Sequence, residues 1–403
     1  MPVITNRWIV LALLFFARTS MAVQFQSIPP ISTMMVEELG FNYTQIGLLI
    51  GLFMFPGVFI ALPGGLLGQR FGDKAVVLVG LGFQIIGALV LANSAVFSVA
   101  FAGRLIGGIG AVMLNVQLTK ITNDWFADRE IATSMGILMT AWPFGIALAF
   151  STLGYIATSS SWSTAIYLTA VYSCVSLALV ALFYKNQPTV ASKTVPTCSS
   201  LWTISTRELI LIISAGIVWG LPNAGFIVLL GFAPAFLVSN GIEMAKAGIL
   251  VSLISWISIG SMPLGGWLTD RTGRINTFII GGVILSALFT VLLPVGFSVL
   301  GCILLLGLAF GIWPGAIMAL PSQVLSPRGR STGFGVFYIV FYGIMAILPP
   351  VAGWLRDLTG GATAPVFFGG MLMALTLVAL AAFRTLQRRW PVEESEQLIK
   401  EST

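Results

Sequence analysis

GWLTDRTGR at residues 266–274 and GLLGQRFGD at residues 65–73 share one frame: two glycines around an arginine, directly after a long apolar run. Laid over each other, the two segments set an offset of about 200 residues, the mark of an internal repeat. The same offset pairs REIATSMG (129–136) with RGRSTGFG (328–335), and QIGLL (45–49) with KAGIL (246–250). Three matches at one spacing define two homologous halves, and a shared site then belongs at their interface.

The chain of 403 residues is 57% hydrophobic and only 8% charged, with a mean hydropathy of +0.98. A soluble domain carries about 25% charged residues, so most of this surface does not meet water. Apolar stretches recur that are long enough to cross a hydrocarbon core of about 30 Å. Inside lipid the backbone must satisfy its own hydrogen bonds, which leaves helices or a closed barrel. Barrel strands alternate polar and apolar residues, whereas these runs are solidly apolar. The expected class is an all-α membrane protein. There is no histidine, and Cys174, Cys198 and Cys302 lie far apart. That pattern points to free thiols and to no metal site, cofactor or nucleophile–base pair. The first apolar run follows Arg7 without a small-residue cleavage site before Pro29, so it reads as a first span and not as a removable leader.

Twelve transmembrane helices are expected at 8–28, 44–67, 75–92, 97–121, 131–157, 164–184, 207–236, 245–268, 277–296, 299–325, 332–355 and 364–386. They divide into an N-terminal six-helix bundle (1–184), a polar linker (185–206), a C-terminal six-helix bundle (207–386) and a charged tail (387–403). Arg7, Arg70, Lys74, Arg129, Lys185, Arg271, Arg274, Arg328, Arg330 and Arg388 fall on one face of the membrane, while the opposite connections hold only Lys246 and Arg356. By the positive-inside rule the basic face is cytoplasmic, with both termini inside a bacterial inner membrane. The net charge of +6 is thus a topology signal, and no nucleic-acid partner is expected.

At these residues the chain resembles the major facilitator superfamily over nearly its whole length. Residues 266–274 are close to the family's loop motif G-x-L-x-D-R-x-G-R, while the copy at 65–73 has Gln69 for the Asp and Asp73 for the second Arg. RLIGGIGA (104–111) looks like the family's R-x-x-x-G-x-G, and GWLRDLTG (353–360) resembles a common ending of its eleventh span. The resemblance implies two pseudo-symmetric bundles that rock about a midplane site. A weaker likeness, to the cyanate / 2-nitroimidazole permease group, rests on an arginine in the first span.

Charges inside spans point to function, because a central arginine costs about 2.5–3.5 kcal/mol on insertion scales. Arg18 lies about ten residues into the first span, about 15 Å deep at 1.5 Å per residue. Arg104 lies in the fourth. No acidic residue falls deep within an expected span, so a bound anion would supply the missing charge. The alternative is that backbone carbonyls, amides or water satisfy either arginine. Gln26 stands near the face of Arg18. Arg104, Gly108, Ala111, Asn115 and Thr119 form a polar and small stripe at helical spacing. In the seventh span Trp219 and Asn223 flank Pro222, which suggests a broken helix. The resemblance places the first, fourth, seventh and tenth spans around the cavity, which makes Trp219, Asn223 and Trp313 candidate contacts and admits Tyr338 and Tyr342. It also implies a gate, with Asp270 meeting Arg129 when the basic face shuts, and with Arg271, Arg274 and Arg328 beside it.

The expectation is a monomeric transporter of a small organic or inorganic anion, with lipid its other partner. Without a buried Asp, Glu or His, facilitated diffusion or exchange is favoured over a carboxylate proton relay. Efflux of lipophilic drug-like compounds is the alternative. A faint antiporter-like stretch at 136–145 supports it, and the unpartnered arginines oppose it.

Overall fold

The computed structural model describes residues 6–60, 68, 70–126, 130–184, 204–326 and 330–390. Among the described residues twelve helices are long and apolar enough to cross a bilayer. In chain order they are α1 (Arg7–Phe25), α2 (Tyr43–Ile60), α3 (Asp73–Ala92), α4 (Phe97–Phe126), α5 (Ile131–Ser159) and α6 (Trp162–Phe183). The second set is α7 (Thr206–Ser239), α8 (Met244–Thr272), α9 (Ile275–Leu292), α10 (Val299–Gln323), α11 (Arg330–Thr359) and α12 (Ala364–Arg389). Their outer faces are apolar: Leu264, Ile347 and Val378 are each more than 60% exposed, which only a lipid solvent makes favourable.

Local chemistry sets the ends. Asn42 and Gln45 form a capping box that starts α2, and Ser205 with Glu208 forms another that starts α7. Each box satisfies backbone donors that a first helical turn leaves free. Gly273, in the left-handed region, ends α8, a conformation for which glycine carries no side-chain penalty.

Pro222 does not break α7, contrary to the sequence expectation: the helix is continuous through Pro222 and Pro234. The Asn223 side-chain amide donates to the Trp219 carbonyl at 2.8 Å, adding a bond at the proline turn. Close packing of Gly220 on Ile344 and of Gly225 on the Gly369 carbonyl braces the same stretch. Membrane helices tolerate proline when neighbours re-satisfy the backbone in this way. The interruptions fall elsewhere. α2 passes through turns at 53–56, before Gly57, and α10 does so at 311–313, before Pro314.

The helices pack as two bundles. α3 lies on α4 and α6, and α1 on α5; α7 lies on α11 and α12, and α8 on α10. The bundles meet along α2–α11 and α5–α8. These seams are tightest on the face opposite the basic one. There Gly353 lies against the Tyr43 backbone, Gly47 against the Pro349 carbonyl, and Gly248 against the Phe150 carbonyl. No side chain fits between the backbones at these points, which is how small residues serve membrane helix contacts. Among the described residues the ion pairs of the basic face stay inside the first bundle: Arg7–Glu130 at 2.8 Å and Lys120–Asp73 at 2.7 Å. The halves are therefore clasped on the basic-poor face.

Gly353→Leu is expected to lower stability in detergent by about 1–3 kcal/mol, as overpacking does. Gly343, on the same helix, has open space where a Cβ would stand. Gly343→Ala is expected to be neutral or stabilising by up to about 1 kcal/mol. Thermal melts of the two variants check the contrast.

Candidate substrate-binding site

Arg18 lies past the middle of α1 and is only 5% exposed. Its Nη1 donates to Thr119 Oγ1 at 3.3 Å and its Nη2 to the Met139 sulfur at 3.4 Å, while Nε has no partner. The first contact is long and the second uses a weak acceptor. Tyr338 and Tyr342 of α11, from the other bundle, are within electrostatic reach of the guanidinium. Asn115 of α4 donates to the Tyr342 hydroxyl at 3.2 Å, and Thr119 donates to the Asn115 carbonyl at 2.8 Å. Arg18, Asn115, Thr119, Tyr338 and Tyr342 thus form one cluster that crosses the halves. Gly57 brings the backbone of α2 onto the Tyr342 ring, which puts the interruption in α2 at the same place.

Arg104 is as deeply buried, at 2% exposure, yet its surroundings are the reverse. Its Nε donates to the Leu49 carbonyl at 2.7 Å, Nη1 to that of Gln24 at 2.7 Å and Nη2 to that of Phe25 at 3.0 Å. The Phe53 ring covers it at 4.4 Å. Gln24 and Phe25 end α1, where carbonyls carry the negative end of the helix dipole, and the Gln24 carbonyl also accepts from Ser27. Arg104 therefore ties α1 to α2 inside the first bundle, with each guanidinium nitrogen bonded to a carbonyl.

Gln26 is fully buried with both amide atoms unpartnered. Gln24 instead bonds into its own bundle, to Ser173 Oγ at 2.9 Å. In the second bundle Trp219 and Trp313 lie with ring centroids 5.9 Å apart, and each indole N–H is buried without an acceptor. Asn223 uses its amide on its own helix. Among the described residues no group of His, Cys, Asp or Glu could hold a metal ion.

Of the expected gate, Arg129 and Arg328 lie outside the described residues. Asp270, Arg271 and Arg274 are exposed at the α8–α9 turn, with Arg271 over the Trp267 ring at 5.1 Å. The opposite face carries a charged clasp that the sequence reading did not assign. Asp357 at the end of α11 accepts from the Tyr43 N–H at 2.9 Å, the Thr44 N–H at 2.7 Å and the Thr44 hydroxyl at 2.6 Å. One carboxylate so caps the first turn of α2 across the halves. Arg356 lies over the Tyr43 ring at 3.4 Å. The signal for it was present, since Arg356 is one of two basic residues on a face otherwise free of them. Met139 carried no such signal, being one apolar residue among many.

Twelve helices long and apolar enough to cross a membrane, in two clasped bundles with a polar cluster between them, are the architecture of a polytopic transporter. The Major Facilitator Superfamily model matches residues 10–349. The chain is 24% identical over 383 residues to the hexuronate transporter of Bacillus subtilis (strain 168), covering 88% of each chain. It is 22% identical over 383 residues to a putative tartrate transporter of Agrobacterium vitis, covering 87% of each. Its fold is similar to the crystal structure of a mutant of the nucleoside transporter NupG, with a TM-score of 0.76, 16% identity, and coverage of 94% of this chain and 100% of that one. The chain belongs to the Major Facilitator Superfamily. It is a transporter and not an enzyme.

The two arginines should respond oppositely to substitution in ligand-free protein. Arg104→Gln removes charge-assisted bonds worth about 1.5–3 kcal/mol each, so its melt should fall well below wild type. Arg18→Gln relieves an under-compensated charge and should melt at or above wild type. Asp357→Asn should weaken the α2 cap by about 0.5–2 kcal/mol. Spin-label distances between the basic-poor ends of α2 and α11 should then show a larger separated population.

Proposed function

We propose that this transporter carries a small organic anion through an alternating-access cycle, with Arg18 as the counter-charge of the substrate. One observation carries the reading: a buried guanidinium that has no carboxylate partner among the described residues and keeps an unused N–H. Leaving a buried charge uncompensated costs several kcal/mol, and an incoming carboxylate removes that cost while gaining paired hydrogen bonds. The names of the two relatives, hexuronate and tartrate transporters, agree with a carboxylate substrate. The likeness to the cyanate / 2-nitroimidazole permease group rests on the arginine of α1 and ranks behind them. Asn115, Tyr338 and Tyr342 complete the anion site, Trp219 and Trp313 line its far wall, and Gln26 and Asn223 are subsidiary contacts. Arg104 holds the bundle that presents the site.

The basic face is cytoplasmic in this reading, with both termini inside the bacterial inner membrane and bundle boundaries at 184 and 207. The Asp357 clasp then shuts the outer gate, and Asp270 with Arg129 shuts the inner one when the cycle turns. None of Asp73, Asp270 and Asp357 lies in the Arg18 cluster, so exchange or facilitated diffusion fits better than a carboxylate proton relay. Counterflow in proteoliposomes loaded with a carboxylate panel tests the proposal. At least one carboxylate should exchange in wild type and lose 100-fold or more in Arg18→Gln. Equal flux in the two proteins, or flux of lipophilic cations alone, would overturn it.

A further inference from the structure

We infer that the transported anion has a flat aromatic body, so the substrate class is an aromatic carboxylate with a hydrogen-bond acceptor at its far end. This rests on the anion reading of Arg18 and adds the shape and the distal chemistry. From the arginine cluster an unbroken run of rings leads into the second bundle. Tyr342 and Tyr338 have centroids 6.3 Å apart, Tyr338 and Phe341 6.3 Å, Phe341 and Trp219 6.1 Å, and Trp219 and Trp313 5.9 Å. Each spacing lies in the range at which aromatic groups attract one another, so a ring entering beside this wall continues the array. The rings come from three helices, α7, α10 and α11, and the interruption of α10 at 311–313 places Trp313 there.

The polar groups of the wall are sparse and one-sided. A polyhydroxylated acid presents several hydroxyls that each need a partner once water is gone. Beyond the tyrosines this run offers two indole N–H groups, both buried and both without an acceptor. An indole is a donor only. Each therefore suits an accepting oxygen (a carbonyl, nitro or phenolic oxygen) at the end of the ligand away from the carboxylate. Arg18 at one end, ring faces between, and donors at the other end describe a bipolar flat ligand. The ring run itself offers the hydroxyls of a sugar acid few partners.

Calorimetric titration of the purified full chain in detergent tests this with benzoate, 4-acetylbenzoate, cyclohexanecarboxylate, tartrate and galacturonate. Benzoate is expected to bind at least 10-fold more tightly than tartrate or galacturonate, and more tightly than cyclohexanecarboxylate. 4-Acetylbenzoate should gain a further few-fold. Trp219→Phe keeps a ring but removes the N–H, and should shrink the advantage of 4-acetylbenzoate over benzoate. If tartrate or galacturonate binds as tightly as benzoate and Arg18→Gln abolishes it, the aromatic inference is overturned while the anion site stands. If no carboxylate binds, or if benzoate binds Arg18→Gln as it binds wild type, both readings fall.

Discussion

The guanidinium of Arg18 is buried between the bundles with no carboxylate bonded to it among the described residues, and the proposed function rests on that. Arg104 supplies the internal comparison. Both arginines are on membrane-crossing helices and both are at most 5% exposed. Insertion of either is opposed by about 2.5–3.5 kcal/mol. Three short bonds to carbonyls, at about 1.5–3 kcal/mol for each charged hydrogen bond, more than offset that term for Arg104. Arg18 has one long bond to a hydroxyl and one contact with a thioether, which do not. The difference between Arg104 and Arg18 thus lies in the acceptors around each and not in its depth, and the proposed binding role of Arg18 rests on that difference.

The rest of the fold places this charge between the two bundles. Arg18, Thr119 and Asn115 belong to the first bundle, and Tyr338 and Tyr342 to the second, so any separation of the bundles opens the cluster. Glycines at the α2–α11 seam let the backbones touch on the basic-poor face. The Asp357 cap there joins groups that water can also satisfy, because the freed Tyr43 and Thr44 N–H groups lie at an exposed helix start. A clasp of this kind holds without being irreversible, which suits a gate. The carbonyl bonds of Arg104 are internal to one bundle, so the proposed rocking of the halves leaves them unchanged.

Much of the architecture was legible in the residues. Solid apolar runs marked the twelve spans, and the loop segments at 65–73 and 266–274 exposed the duplication. Arg18 stood out because charge is rare in such runs. The fate of Arg104 was not legible: its partners are backbone carbonyls, which every residue carries, and only the packing of α1 and α2 brings three of them together. Pro222 misled for a related reason. A proline signals a lost hydrogen bond, but not whether Asn223 and the close-packed glycines beside it will keep the helix continuous. The interruptions at 53–56 and 311–313 arose instead where Gly57 and Gly311 come against Tyr342 and Ser261. The Asp357 clasp joins residues more than 300 apart in the chain, beyond the reach of any local pattern.

The central claim is that a carboxylate completes the coordination of Arg18. The most direct measurement is the shift in melting temperature of the purified protein across a series of carboxylates, in parallel for wild type and Arg18→Gln. A ligand present at 100 times its dissociation constant stabilises the state it binds by about 2.7 kcal/mol. The account predicts a shift of that size for at least one carboxylate in wild type and none in the variant. An equal shift in both proteins would contradict it and move the substrate away from Arg18.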